Sequence, residues 1–167
     1  MAIRAFLDYI FLEKKYSTNT LKAYKKNLDD FEKFILSNNF DISIEEATYN
    51  EIRSWIVFLV EQGNSKRTIN RKISVLASYY KFLLRTETIS ISPLKDHKAL
   101  KTEKKVVIPF SKDEINKLMS DDYFSDSYTG FLQHTIIKLF YFTGIRRSEL
   151  LALRINDFDF SQSLIKV

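Results

Sequence analysis

The residues with the clearest capacity for chemistry are two adjacent arginines and a glutamate that follow a glycine: Gly144, Arg146, Arg147 and Glu149. Glycine lets the backbone turn sharply where the preceding apolar run ends, so a new helix is expected to begin there. Arg146 and Glu149 are three residues apart and share a face of that helix, where the carboxylate can orient the guanidinium. An arginine held near the free N–H groups of a helix start is placed to meet a phosphate.

The composition gives little support to other kinds of chemistry. The 167 residues include no cysteine, which excludes disulfides and thiol catalysis. His97 and His134 lack the spacing of metal ligands, and we expect both to have structural positions. No apolar run is long enough to span a membrane, and no signal-peptide pattern begins the chain. The sequence therefore predicts a cytoplasmic protein with no membrane partner, no metal site and no small-molecule cofactor.

Basic side chains are concentrated in the middle of the chain. Residues 62–105 carry 11 basic and 3 acidic side chains, whereas residues 111–167 carry 7 and 8. Such a basic zone indicates a polyanion partner, although a lysine-rich surface kept for solubility would have the same composition.

The helix expected over residues 65–85 separates apolar and basic side chains most clearly. No acidic residue occurs between Glu61 and Glu87, whereas a solvated helix face usually mixes both signs of charge. A face of arginine, lysine and serine is better suited to lie along a phosphate backbone. At about 100° per residue this face comprises Arg67, Arg71, Ser74, Ser78, Lys81 and Arg85, opposite Ile69, Ile73, Leu76, Tyr80 and Leu83.

Apolar periodicity and N-cap residue types predict the other helices of the first half. The three glycines and two prolines of the whole chain favour helices joined by short connections. A second helix begins after the cap residues 17–20, and a third follows a capping box at Thr48 and ends near Gly63. The first helix, over residues 2–14, is expected to bury Phe6, Leu7, Ile10 and Phe11.

The second half of the sequence predicts shorter secondary-structure elements. A capping box at Ser111 begins a short helix, and a strongly apolar helix over residues 131–142, with Tyr141 in the core, ends at Gly144. Alternating residues at 158–167 indicate a β-hairpin. The helix after Gly144 is expected to pack through Leu150, Leu151 and Leu153.

We divide the chain into a helical domain at 1–90, a basic linker at 91–109 and a second domain at 110–167. Two prolines bracket the linker, which is either a domain boundary or a strap that tracks DNA. Because the last strand ends abruptly, we expect the second domain to be incomplete. The lysines of the linker are Lys95, Lys98, Lys101, Lys104 and Lys105.

Three segments in order, residues 16–24, 65–74 and 143–150, resemble the tyrosine recombinases of the phage-integrase type, above all the Xer-like bacterial members. The resemblance implies a mainly α protein, with an N-terminal four-helix SAM-like core-binding domain and a truncated α+β catalytic domain. Its partners would be double-stranded DNA and other recombinase protomers, which act as a tetramer on paired sites. The resemblance and the helix faces together assign DNA binding to Asn19, Thr20, Lys22, Lys26, Lys66, Arg67, Asn70, Arg71 and Ser74.

The family's mechanism implies roles for the residues of the opening motif. A tyrosine attacks a DNA phosphodiester without a metal and forms a 3′-phosphotyrosyl link, so cationic side chains must stabilise the transition state. Arg146 matches the first catalytic arginine, and Glu149 matches the acidic residue that supports it. Arg147 is suited equally to a DNA-backbone contact and to a surface salt bridge.

The family's catalytic lysine, second arginine and nucleophilic tyrosine lie beyond the segments matched here. Lys166 precedes the lysine position, and none of the nine tyrosines occupies the nucleophile's place. We therefore expect the 167-residue chain alone to be monomeric without DNA and unable to cleave it. The alternatives are a non-catalytic helical DNA-binding module that regulates recombination, and a helical interaction domain with a basic surface. The opening motif argues against the first alternative, because a pure binding module has no need for a buried Arg146–Glu149 pair. The acid-free helix face argues against the second.

Overall fold

A computed structural model describes residues 2–38, 42–103, 106 and 108–167. The chain divides into two compact units, Met1–Lys104 and Lys105–Val167, which we call unit 1 and unit 2. The boundaries predicted at 90 and 110 differ from this division and stay a prediction. No helix in the described part of the chain is long and apolar enough to cross a membrane.

The described residues of unit 1 form four helices, each of which begins where the sequence places a capping residue or the chain start. They are α1 (Ala2–Leu12), α2 (Thr18–Ser37), α3 (Tyr49–Glu61) and α4 (Lys66–Arg85). Ser17 and Ser65 accept the amide hydrogens of Thr20 and Thr68, while Thr48 and Glu51 form a capping box. The chain leaves α3 through a glycine with φ of +74°, a conformation that glycine adopts without strain.

The core of unit 1 lies between these four helices and consists largely of aromatic and branched side chains. The predicted apolar stripe of α4 is confirmed, and Val75 and Tyr79 widen it. Phe31 of α2 contacts Trp55 of α3 with ring centroids 4.9 Å apart. Ring pairs of this kind add to the stabilisation that apolar burial provides. The largest fully buried side chains are Trp55, Tyr79, Tyr80, Phe6 and Phe31.

The first helix is shorter than predicted, and one of its expected core residues is exposed. α1 ends at Leu12 because Lys15, three residues on, takes a left-handed backbone conformation (φ +53°) that leads into α2. Phe6 and Ile10 are buried, Leu7 is half-buried, and Phe11 is 49% exposed. Phe11 lies about 100° around the helix from Ile10 and about 140° from Phe6, outside the side that faces the core, so the prediction for Phe11 was wrong.

The first half of the predicted linker packs against unit 1. Leu94 belongs to the hydrophobic core, and Ile89 and Leu100 are partly buried against it. A tight turn supports this path, since the backbone N–H of His97 donates to the carbonyl of Leu94. Lys104 and Lys105 of the predicted linker lie outside the described residues.

Unit 2 contains short helices and a hairpin. The helices are α5 (Lys112–Met119), α6 (Tyr128–Thr143) and α7 (Arg147–Ala152), with 3₁₀ turns at Asp121–Tyr123 and Ile155–Asp157. Strands β1 (Phe158–Asp159) and β2 (Leu164–Ile165) pair antiparallel, with Phe158 opposite Ile165. This confirms the predicted hairpin.

Two predictions of buried residues in unit 2 were wrong. Tyr141 of α6 is 54% exposed and Leu151 of α7 is 75% exposed. Leu150 and Leu153 are half-buried, as expected for the inner side of a short helix. Among the described residues of this unit, only Gly130, His134 and Ile145 are buried. The apolar residues of the sequence therefore predicted a larger core for unit 2 than the structure has.

Candidate functional site

The outward side of α4 carries exposed cations that no carboxylate neutralises. Arg67, Arg71 and Lys81 are exposed, and none forms an ion pair within the part of the chain that the structure describes. Ser74 lies between them and donates its hydroxyl to the carbonyl of Asn70 at 2.9 Å. We call Arg67, Arg71, Ser74 and Lys81 the α4 basic face. It offers a row of positive charges to an extended polyanion.

Lys72 is a cation of α4 that does not belong to the α4 basic face, because its position on the helix turns it towards α2 and α3. Its side chain is 13% exposed, and its ammonium lies 2.7 Å from the carboxylate of Asp30 on α2. The same ammonium lies 5.7 Å from the centre of the Trp55 ring. These contacts hold α2, α3 and α4 together and keep Lys72 away from the α4 basic face.

Arg85 belongs to the face by periodicity but has partners from α1 and the turn after it. Its guanidinium donates to the hydroxyl of Tyr9 at 2.8 Å and lies 3.8 Å from the carboxylate of Glu13. The acid-free stretch of sequence did not reveal this ion pair, because its acid lies 72 residues earlier. Arg85 is therefore set apart from the unpaired cations of the face.

Asn70 was predicted to bind DNA, and its amide is already engaged. The side-chain nitrogen donates to the carbonyl of Leu100 at 2.8 Å, and the side-chain oxygen accepts the N–H of Leu100 at 2.9 Å. Leu100 lies in the first half of the predicted linker. Asn70 therefore holds a distant backbone segment to α4.

The start of α2 supplies the other predicted DNA-binding residues. Asn19, Lys22 and Lys26 are exposed and without ion pairs in the described structure. Thr20 is half-buried, and its hydroxyl shares a 2.9 Å hydrogen bond with Ser17 at the helix cap. Thr20 thus serves the helix start, while the other three extend into solvent. Lys66, at the first position of α4, is also exposed.

The arginine–glutamate motif lies at the junction of α6 and α7. Gly144 ends α6 in the left-handed conformation (φ +64°), and its N–H donates to the carbonyl of Phe140. Ile145 is buried and anchors the turn. Arg146 is the N-cap of α7 and lies just outside the helix, which begins at Arg147.

A single carboxylate both caps α7 and holds the guanidinium of Arg146. Glu149 accepts the backbone N–H of Arg146 at 2.8 Å and its Nη1 at 2.6 Å. The pair is exposed: 81% of the Arg146 side chain and 30% of the Glu149 side chain are accessible. The expectation of a buried pair was wrong, although the predicted interaction is present. The backbone and guanidinium hydrogen bonds of Arg146 lower the pKa of Glu149 below its usual value.

One feature of unit 1 was missed from the sequence: an open cavity of about 510 Å³ beside the C-terminal end of α4. Tyrosines at three separate chain positions contribute to its wall, which the periodicity of single helices does not reveal. Arg85 packs 5.3 Å from the centre of the Tyr9 ring at its edge. The main residues that line the cavity are Phe6, Tyr9, Tyr16, Tyr24, Lys81 and Phe82.

The two histidines have structural contacts. His134 is buried, stacks on Phe124 with ring centroids 4.9 Å apart, and hydrogen-bonds through Nε2 to the carbonyl of Met119. His97 lies 3.5 Å from the hydroxyl of Tyr49. Among the described residues, no group of three or more His, Cys, Asp or Glu side chains is placed to hold a metal ion.

Comparison with known protein families decides the classification of unit 1. Residues 3–87, which include α1 to α4, match the family model described as the phage integrase N-terminal SAM-like domain. The chain belongs to the phage-integrase type of tyrosine recombinase. The predicted family is thereby confirmed.

Curated relatives of the chain extend the similarity through unit 2. The chain is 32% identical over 165 residues to the tyrosine recombinase XerC of Bacillus subtilis (strain 168), with 99% of this chain and 54% of the relative covered. It is 32% identical over 155 residues to XerD of Rickettsia bellii, with 93% and 50% covered. The chain spans about half the length of the curated relatives it matches.

A solved structure confirms the predicted fold class. The chain superposes on the Tn1549 transposon integrase, determined in complex with circular intermediate DNA, with a TM-score of 0.72. The two are 18% identical, and the match covers 98% of this chain and 52% of the integrase. The mainly helical architecture with its small hairpin is therefore that of an integrase. The assignments of individual DNA-binding and catalytic residues stay predictions.

Proposed function

We propose that this chain is the DNA-binding portion of a site-specific tyrosine recombinase and binds double-stranded DNA through the α4 basic face and the start of α2. The observation that carries the proposal is the row of exposed, unpaired cations on α4 within a phage-integrase SAM-like domain. Arginine and lysine side chains bind phosphate oxygens and release condensed counterions, which drives association. Asn19, Lys22, Lys26 and Lys66 extend the contact beside this face.

Arg146 has the catalytic role in the proposed reaction. A tyrosine hydroxyl attacks the DNA phosphorus, the bond to the 5′-oxygen breaks, and a 5′-hydroxyl later displaces the tyrosine. Negative charge grows on the oxygens of the five-coordinate phosphorus, where a guanidinium stabilises it. Glu149 engages one of the five N–H donors of Arg146 and holds the side chain in place. The remaining donors are available to two phosphate oxygens.

The biological setting follows from this proposal. The relatives include the Xer recombinases XerC and XerD, and the solved integrase was bound to circular intermediate DNA. We propose that the protein acts on DNA in the cytoplasm, together with other protomers of the same kind arranged as a tetramer on paired sites.

Salt dependence tests the DNA-binding part of the proposal. Binding of the 167-residue chain to a fluorescent duplex is measured by anisotropy between low and moderate salt. Arg67→Gln and Arg71→Gln are each expected to reduce the slope of log K against log salt by about one unit, since each removes one phosphate contact. Arg53→Gln is the matched control, because Arg53 is an exposed arginine of α3 and is not part of the α4 basic face.

Equal slopes for all three variants, or binding that is indifferent to salt, would contradict the proposal.

The recombinase part has a separate test in the nucleotide sequence that follows codon 167. A recombinase requires codons there for a lysine in the hairpin region, an arginine–histidine segment and a tyrosine. A non-catalytic DNA-binding module has no such requirement.

A further inference from the structure

Asn70 forms a two-point contact with the backbone of one distant residue, Leu100. Both polar atoms of its amide bind the backbone of Leu100, one as donor at 2.8 Å and the other as acceptor at 2.9 Å. An asparagine that satisfies both backbone groups of one residue fixes the position and the direction of that segment. The contact joins residues thirty positions apart, so it is a device of tertiary structure.

Apolar contacts hold the same segment at Leu94 and at Leu100 itself. We call residues 92–101 the arm. Leu94 is 9% exposed and belongs to the core of unit 1, and Leu100 is partly buried against that core. Backbone hydrogen bonds from Lys95 to Ser92 and from His97 to Leu94 fold the intervening residues into a turn. The arm is therefore a packed part of unit 1.

Asn70 lies at the edge of the α4 basic face. It precedes Ser74 by four residues and follows Arg67 by three, and these spacings place the three side chains on one side of the helix. The arm consequently crosses α4 beside these residues. Lys98 and Lys101 flank Leu100, are exposed, and have no ion pair in the described structure.

We propose that Asn70 is a positioning residue that clamps the arm beside the α4 basic face, so that Lys98 and Lys101 contact the DNA backbone. The proposal rests on the proposed DNA binding of unit 1. Asn70 acts through the arm, in place of the direct DNA contact that the sequence predicted. The DNA-binding surface thus consists of the α4 basic face and the arm, which the side-chain amide of Asn70 holds beside it.

Hydrogen exchange at the Leu100 amide tests the clamp without DNA. In the 167-residue chain this N–H is hydrogen-bonded to Asn70, and Asn70→Ala removes that acceptor while retaining a good helix former. We expect the Leu100 amide to exchange about tenfold faster in the variant, the factor that one hydrogen bond of ordinary strength gives. Asn116→Ala is the matched control, since Asn116 is an exposed helical asparagine of α5. Unchanged exchange in Asn70→Ala overturns the clamp.

A double-mutant cycle tests whether the clamp positions lysines on DNA. The paired change Lys98→Gln with Lys101→Gln is expected to reduce the salt slope by about two units when Asn70 is present. After Asn70→Ala the same pair of changes is expected to cost less than one unit, because the unclamped arm no longer presents its lysines. Additive effects would show that Asn70 and the lysines act independently, and would overturn the proposal.

The two experiments also separate this inference from the proposed function. If Arg67→Gln and Arg71→Gln both show the same salt slope as the control Arg53→Gln, the proposed function fails and the DNA role of the arm fails with it. If Arg67→Gln lowers the slope but the lysine changes do not, DNA binding stands and only the role of the arm is overturned.

Discussion

At the scale of single residues, Glu149 combines two tasks that usually fall to different side chains. It accepts the N–H of Arg146 and so closes the start of α7, where a carboxylate also interacts favourably with the helix dipole. It accepts Nη1 of the same arginine, which orients the guanidinium. A phosphate that approaches this helix start would meet the guanidinium first, because the nearest backbone donor is occupied.

The pKa of Glu149 is a direct measure of this arrangement. Arg146→Ala removes the guanidinium but keeps the backbone N–H, which makes the largest contribution to lowering the pKa. We expect the pKa to rise part of the way towards the ordinary glutamate value of 4.5, as measured by ¹³C NMR titration of the side-chain carboxyl. Glu114, whose pKa is lowered by the cap hydrogen bonds of Ser111, should not change. An unaltered pKa for Glu149 would mean that the guanidinium contact is absent in solution.

The direction of the shift also sets its pH dependence. The folded pKa of Glu149 lies below the unfolded value, so its contribution to the stability of unit 2 is present above the unfolded pKa. That contribution is lost as the pH falls through the folded pKa. Acidification in this range should therefore loosen α7.

Single residues also show where sequence reasoning reaches its limit. The exposure of Arg67 and Arg71 was predictable, because helical periodicity alone assigns them to the outward side. The partners of Asn70 and Arg85 were not, since Leu100 and Glu13 are brought to them by the packing of distant segments. Residue type cannot distinguish an amide that binds DNA from one that clamps backbone.

At the scale of elements, α4 both carries the basic face and fixes the connection between α2 and α3. The hydroxyl of Tyr80 donates to the carbonyl of Ile44 at 2.8 Å, and that of Tyr79 donates to the carboxylate of Glu45 at 2.8 Å. Burial raises the pKa of both phenols above the usual 10.0. The folded chain therefore resists their ionisation, and stability present below about pH 10 is lost as higher pH ionises the unfolded state.

Removing these hydroxyls one at a time should have unequal effects. Tyr80→Phe takes a buried donor from the Ile44 carbonyl and is expected to cost about 1–3 kcal/mol of unfolding free energy. Tyr79→Phe should cost less, because the Glu45 side chain is only half-buried and water can replace the phenol. Urea unfolding followed by the fluorescence of Trp55 measures both. Equal losses would show that the Ile44 carbonyl has another donor in solution.

Secondary-structure elements were predictable where the contacts that stabilise them join residues close in the sequence. The capping boxes at Thr48 and Ser111 and the apolar stripe of α4 were readable, because their partners lie within four residues. The arm was read as linker because Leu94 and Leu100 are isolated apolar residues in a basic stretch. Only the folded core of unit 1 shows that they pack.

At the scale of the whole molecule, the two units differ sharply in how much apolar surface they bury. Unit 1 has a continuous core that includes Trp55, Tyr80 and Leu83, each no more than 1% exposed. In the described part of unit 2, Phe131, Phe142 and Leu151 are all more than 70% exposed. Since buried apolar area supplies most of the stability of a fold, unit 1 should be much the more stable.

The single tryptophan makes this difference measurable. Trp55 lies in unit 1, so its fluorescence reports that unit alone, whereas far-ultraviolet circular dichroism reports the helices of both. During urea unfolding we expect helical signal to be lost first, while fluorescence is unchanged, and a second transition to follow in both signals. Two leucine variants assign the transitions to the units. Leu83→Ala should cost about 2–5 kcal/mol of unfolding free energy and move only the second transition, because it opens a cavity in the core of unit 1. Leu151→Ala, at a position that is 75% exposed, should move neither transition appreciably. Coincident transitions by the two probes would show instead that unit 2 unfolds together with unit 1 and draws its stability from it.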